Sequence, residues 1–162
     1  MKLGLLSDSH DNIWALDDAL QHLETADAVI HCGDLIAPFV LKRMAIALDV
    51  PIHIVWGNND GDKKLLTEMA GQYKHVTIHG EIANLEISGR KIAVNHYPEI
   101  AHILASSGHY DMVCFGHDHT AHESRIGETL FLNPGEVMGL NGRRTIMMVD
   151  LETLDVEWIE LP

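Results

Sequence analysis

Cysteine, positive charge and long apolar runs are all scarce in this sequence. Only Cys32 and Cys114 occur among its 162 residues. Both sit inside apolar runs, so the sequence offers neither a disulfide framework nor a cysteine pair for structural zinc, and the plain reading is buried free thiols of a reducing compartment. Eleven Lys and Arg stand against 24 Asp and Glu, for a net charge of -13. A surface of that sign repels phosphate backbones and anionic membranes, which argues against a long nucleic-acid groove. No stretch approaches the ~20 apolar residues of a membrane span. The N-terminal run Leu3-Gly4-Leu5-Leu6 meets Asp8 too soon for a signal peptide. Repeats, low-complexity segments and linkers are absent as well. The expectation is one soluble cytoplasmic domain spanning 1–162, with 46% hydrophobic content supplying its core.

What is present is a rhythm. Leu3–Leu6 is apolar without alternation, the pattern of a strand covered on both faces, and it stops at Ser7-Asp8-Ser9-His10-Asp11-Asn12. Residues 13, 16, 20 and 23 then keep helical spacing, with Asp11 or Asn12 as N-cap. The unit repeats: a strand over 28–32 and a helix over 38–48, then a strand over 52–56 and a helix over 63–69. Beyond Gly71 come short strands over 76–78, 83–87 and 91–95, followed by a helix over 99–106 started by Pro98. A buried strand over 111–115 leads into Gly116-His117-Asp118-His119, where Gly116 lets the backbone bend close to whatever the rings bind. The remainder, over 122–126, 129–132, 145–149 and 156–161, reads as antiparallel strands. The fold class is α/β, opening with βαβ units.

Five apolar runs end in metal-ligand residue types: Asp8 and His10, Asp34, Asn58, His96, then His117 and His119. All lie at the C-terminal ends of their runs, where ligands bind in an open α/β sheet, so residues far apart in sequence are expected to meet. Carboxylate, imidazole and amide oxygen suit Mn, Fe, Zn, Co or Ni. Seven ligands are too many for one ion, so two are implied. Asp8, His10 and His119 would hold one; Asn58, His96 and His117 would hold the other, with Asp34 between them.

The ordered set Asp8-Ser9-His10, Gly33-Asp34, Gly57-Asn58-Asn59-Asp60, His96 and Gly116-His117-Asp118-His119 resembles the signature of the calcineurin-like metallophosphoesterases, in particular their small single-domain phosphodiesterase branch. The likeness covers nearly the whole chain, including Asp11-Asn12 and Asn133-Pro134-Gly135. It implies a four-layer α/β/β/α sandwich with two mixed sheets. It also implies the same ligand partition and hydrolysis of a small phosphodiester, with phosphomonoesters as a second substrate class. Two divalent ions, manganese foremost, would activate a bridging water whose hydroxide attacks phosphorus in line. Asp60 and Asn12 are candidates to orient rings or touch phosphate. Small members of the family also pair as homo-oligomers.

Three positions depart from that pattern. Asn59 stands where many members have a histidine that helps protonate the leaving group; an amide there makes a phosphate contact and favours good leaving groups such as aryl esters. Asp118 and Glu136 replace the common threonine and serine and are expected to act as supporting or solvated carboxylates. Trp14 and Trp56 are expected to pack, and His31 and His53 to be satisfied within the sheet. His22, His75, His79, His102 and His109 are expected at the surface, and His122 outside the ligand set. The rival readings are a non-catalytic metal-binding scaffold on the same fold, as in a retromer subunit, and a nuclease; completeness of the seven ligands and the -13 charge count against them.

Overall fold

In a computed structural model describing residues 1–162, the chain forms eleven strands and four helices. The first sheet has the order β11-β10-β1-β2-β3-β4, with β1 (Lys2–Leu6), β2 (Ala28–His31), β3 (Ile52–Ile54) and β4 (Val76–Ile78) parallel. Its edge is completed antiparallel by β10 (Thr145–Asp150) and β11 (Val156–Glu160). The second sheet has the order β5-β6-β7-β9-β8, from β5 (Ile82–Ile87), β6 (Arg90–Asn95), β7 (Met112–Cys114), β8 (His122–Ile126) and β9 (Thr129–Asn133). Strands β6, β7 and β9 run parallel; β5 and β8 close the edges antiparallel.

The period-two alternation of strand side chains divides the interior into three cores. Leu3, Leu5, Ile92, Val94, Met112, Cys114, Leu130 and Leu132 face one another between the sheets. Leu6, Val29, Ile52, Ile54, Ile146 and Met148 face the helices α1 (Ile13–Leu23), α2 (Pro38–Ala47) and α3 (Lys63–Ala70). Ala93, Val113 and Phe131 face α4 (Pro98–Ser106), which meets them with Ala101 and Ala105. Four layers follow, helix, sheet, sheet and helix. Strands covered on both faces have to be apolar throughout, which is why β1, β2 and β7 read as unbroken hydrophobic runs.

Helix starts follow local chemistry. The Asn12 side chain accepts a bond from Ala15 N at 3.2 Å and Asp62 from Leu65 N at 2.9 Å, while Pro38 and Pro98 open α2 and α4.

The strands after His119 pair antiparallel as expected, with one exception. Strand β9 is antiparallel to β8 but lies parallel to β7, while β10 and β11 close the first sheet. Pairing direction depends on which neighbour the chain reaches, and side-chain alternation is the same in either case. Trp14 is 76% exposed and does not pack, whereas Trp56 is buried. His75 and His79 are half-buried rather than on the surface: His75 Nε2 bonds Ala45 O, and His79 Nε2 lies 3.0 Å from His53 Nδ1.

Candidate metal centre

Both parallel strand sets end at the same edge of the sandwich. Loops after β1, β2 and β3 from the first sheet meet loops after β6 and β7 from the second. They are laced by backbone bonds: Asp8 N to Gly33 O, His10 N to Asp34 O, Gly116 N to His96 O and Met138 N to Asp8 O. Close approach is built in at Gly116, where a Cβ would collide with Ser7 Oγ and Asp8 Oδ2. Nine non-glycine residues in the chain have φ between 40° and 78°, and seven belong to these loops: Asp8, His10, Asp11, Asp34, Ile36, His117 and His119. Left-handed backbone at alternate residues turns neighbouring side chains toward one point, at roughly 1–2 kcal/mol each.

The seven candidate ligands lie together. His119 Nε2 is 3.3 Å and His10 Nε2 3.7 Å from Asp8 Oδ1. His10 Nε2 is 3.4 Å and His96 Nε2 3.5 Å from Asp34 Oδ2. Asn58 Oδ1 is 3.1 Å from His96 Nε2 and 2.9 Å from His117 Nδ1. Donor atoms sharing an ion at bonds of about 2.1 Å are separated by about 3.0–3.4 Å in octahedral or tetrahedral arrangements, close to these spacings, so the residues could hold an ion. Two groups suited to an ion emerge, Asp8-His10-His119 and Asp8-Asp34-His96. Asp8 Oδ1 and His10 Nε2 are buried without a hydrogen-bond partner, which for a carboxylate and an imidazole at one spot is the signature of a cation's place.

The surroundings fix ring orientation. His96 Nδ1 donates to Cys32 O at 2.8 Å, which aims Nε2 at Asp34 and Asn58. His119 Nδ1 donates to Glu136 Oε2 at 2.6 Å, which aims Nε2 at Asp8. Asp8 Oδ2 accepts from Ser7 Oγ at 2.5 Å and from His117 N at 3.1 Å, leaving Oδ1 free.

Residues 1–154 match the calcineurin-like phosphoesterase superfamily domain. The chain belongs to that superfamily. Phosphodiesterase MJ0936 of Methanocaldococcus jannaschii is 32% identical over 99% of both chains. A solved archaeal phosphodiesterase superposes with a TM-score of 0.92 at 32% identity, covering 99% of this chain and 100% of its own. Vps29 of Entamoeba histolytica, solved with zinc, shares the fold at TM-score 0.70 and 18% identity, with 99% of each chain covered.

In this phosphoesterase, charge is balanced around the ligands. The carboxylates of Asp34 and Asp8 lift His10 to about 9, against its burial. Burial works to lower His96, yet Asp34 and the field of Asp8 carry it above the usual imidazole range. Burial works to protonate Asp34 too, but the imidazoles of His10 and His96, 3.4 and 3.5 Å away, and the bonds from Asn59 hold it well below the usual carboxylate range. The carboxylates thus favour positive charge at both imidazoles, the charge that a divalent cation would supply there. Burial pushes His31 down to about 4; its Nδ1 accepts from Gly33 N and its Nε2 meets Ser9 Oγ at 3.1 Å, so it is a satisfied interior histidine.

Three supporting residues take places that their motifs do not disclose. Asn59 turns inward, its N and Nδ2 both donating to Asp34 at 2.7 Å, rather than presenting its amide to a phosphate. Asp60 binds backbone: Oδ1 accepts from Leu35 N and Ile36 N, Oδ2 from Gly57 N and Asp34 N. Asn12 caps α1 and donates to Met138 O at 2.9 Å. His122 stays outside the cluster, bonded to Ser124 Oγ.

Glu136 is fully buried, and besides His119 it accepts from Asn141 N at 2.6 Å. It is thus the supporting carboxylate that its position after Asn133-Pro134-Gly135 leads us to expect, and its partner, His119, is supplied by the tertiary fold. Glu136→Ala is expected to weaken divalent-metal binding 10–100-fold, since it frees the His119 ring. Titration calorimetry decides the point, and an unchanged affinity would refute the orienting role.

Proposed function

We propose that the chain, acting as one catalytic domain, hydrolyses small soluble phosphodiesters at a two-ion centre. Asp8, His10 and His119 would hold one ion; Asn58, His96 and His117 would hold the other. The observation that carries the reading is Asp34 Oδ2, placed within 3.5 Å of a nitrogen from each set. When bound, the ions, manganese foremost, would supply Lewis-acid activation of water and neutralise charge on the phosphoryl oxygens. The protein's share is to hold the ligands rigid: His119 through Glu136, His96 through Cys32 O, and Asp34 through Asn59. Water adds to phosphorus, one P–O ester bond breaks, and the departing oxygen takes up a proton. No titratable residue stands at position 59, which favours leaving groups that depart as stable anions, aryl esters first.

Completeness of the ligand set favours catalysis over a scaffold role, and the -13 charge favours small substrates over nucleic acid. No helix is long and apolar enough to cross a membrane. Cys32 and Cys114 are buried free thiols, which supports a reducing cytoplasmic setting.

The test is turnover of bis(p-nitrophenyl) phosphate with manganese. Activity is expected to vanish with chelator and return on adding the ion. His10 holds a proton below about 9 in the metal-free protein, so an entering ion displaces it and apparent manganese affinity should rise from pH 6 to pH 8. Absence of chelator-sensitive turnover across manganese, iron, nickel, zinc and cobalt would leave the scaffold reading.

A further inference from the structure

Beside the metal centre, between the N-terminal half of α4 and strands β8 and β9, lies a groove of about 410 Å³. That volume falls in the ~300–1,000 Å³ range of small-molecule sites. Its floor is Phe115 and Phe131, stacked with centroids 4.4 Å apart. Its walls are imidazoles: His102 stands edge-on to Phe131 at 6.1 Å, and His122 lies 5.9 Å from Phe131 and 6.3 Å from Phe115. Two carboxylates, Glu99 and Asp118, complete it, and no Lys or Arg lines it. Asp118 is fixed by Asn133 Nδ2 at 2.7 Å and Thr120 N at 3.0 Å, both on Oδ1. Its Oδ2 therefore remains available as an acceptor. Glu99, in the first turn of α4, makes no hydrogen bond or ion pair within the chain.

Both walls begin next to candidate ligands. Asp118 sits between His117 and His119, and Pro98 follows His96 by two residues, across Tyr97, whose ring is 5.4 Å from His96 and 5.0 Å from His117. Successive Cα atoms are about 3.8 Å apart, so the near rim lies about one nucleotide unit or less from the ligands. The groove's chemistry is opposite to that of a phosphate site. It has the exposed imidazoles of His102 and His122 over a buried phenyl floor, carboxylates that accept hydrogen bonds, and no cation to attract an anion.

We propose that this groove receives a nucleobase bearing an amino group, stacked against the imidazoles of His102 and His122 above the phenyl floor, with its N–H donors on Asp118 and Glu99. The ester held at the metal centre would then be a small nucleotide-type phosphodiester. This rests on the hydrolytic reading above and names its substrate class.

The test compares p-nitrophenyl esters of adenosine 5′-monophosphate, of uridine 5′-monophosphate and of abasic ribose 5-phosphate on the manganese-loaded enzyme. The leaving group is common to all three, so differences report the base. The adenosine ester is expected to show a KM about tenfold below the abasic ester, the scale of one stacked base, and a few-fold below the uridine ester. His122→Ala should bring the adenosine-to-abasic KM ratio toward one. Combined Glu99→Gln and Asp118→Asn should erase the preference for adenosine over uridine. Independently of turnover, adenosine alone should move the ring proton resonances of His102 and His122 but not those of His22 and His109. Equal KM values for adenosine and abasic esters, or resonances of His102 and His122 that do not respond, overturn the groove assignment while leaving phosphodiester hydrolysis standing. If none of the esters turns over, the hydrolytic reading falls, and the adenosine titration still decides the groove.

Discussion

Asparagine in place of Asp34 is expected to lower kcat/KM for bis(p-nitrophenyl) phosphate about a thousandfold, equivalent to about 4 kcal/mol of transition-state stabilisation. The reason is that one carboxylate serves both nitrogen sets: its Oδ2 meets His10 and His96 at 3.4 and 3.5 Å. Removing its charge takes one of two carboxylates from the Asp8-His10-His119 position and the only one from the Asn58-His96-His117 position, and it places an amide N–H against Asn59 donors that now bond the carboxylate. Asparagine is the informative replacement because Asp34 has φ 58°, a left-handed conformation that asparagine tolerates. The fold should survive, as circular dichroism would verify. Metal titration should then find one strongly bound ion where the parent protein binds two. Activity within tenfold of the parent would mean that Asp34 is not shared.

The second large effect is on stability. Asp60, 7% exposed, gathers four backbone N–H groups from two loops, at 2.7 to 3.2 Å. In Asp60→Ala those donors lose their acceptor in a place water does not reach freely, and each unsatisfied buried group costs about 1–3 kcal/mol. Some will find other partners, so a loss of about 3–5 kcal/mol is expected. For a domain of this size that lowers the unfolding midpoint by roughly 6–20 °C. Turnover should fall as well, because Asp34 N and Gly57 N set the paths of the loops that carry Asp34 and Asn58. Thermal denaturation monitored by circular dichroism gives the answer; a midpoint within 2 °C of the parent would show that the four bonds contribute little.

Much of this architecture was legible because it follows from local rules. Apolar runs such as Leu3–Leu6 and Met112–Cys114 have no polar alternation because both faces are covered, and each ends where polar ligand types begin. Asn12 and Pro98 mark helix starts by the bonds they make or lack. The meeting of seven ligand types at one edge followed from strand direction alone. Long-range pairing was hidden. Nothing local in Thr129–Asn133 distinguishes an antiparallel from a parallel neighbour, so the parallel pairing of β9 with β7 is set by tertiary context alone. Glu136 was legible as a supporting carboxylate, but its partner His119, reached from the loop after β9, was not. Residue type alone does not set the direction of Asn59: its side chain is free to point outward or inward, and the strong acceptor Asp34 draws it inward.

The left-handed loops carry one more implication. At Asp8, His10, Asp34, His117 and His119 the residue that would grip a cation is also the one whose backbone is under tension. Glycine would relax each of those five positions and erase its side chain in the same step, so ease and chemistry exclude each other there. Asp11 and Ile36 bear the same tension without belonging to the ligand set. A lineage drifting toward heat resistance has only those two positions in these loops where it can slacken the chain and remain an enzyme.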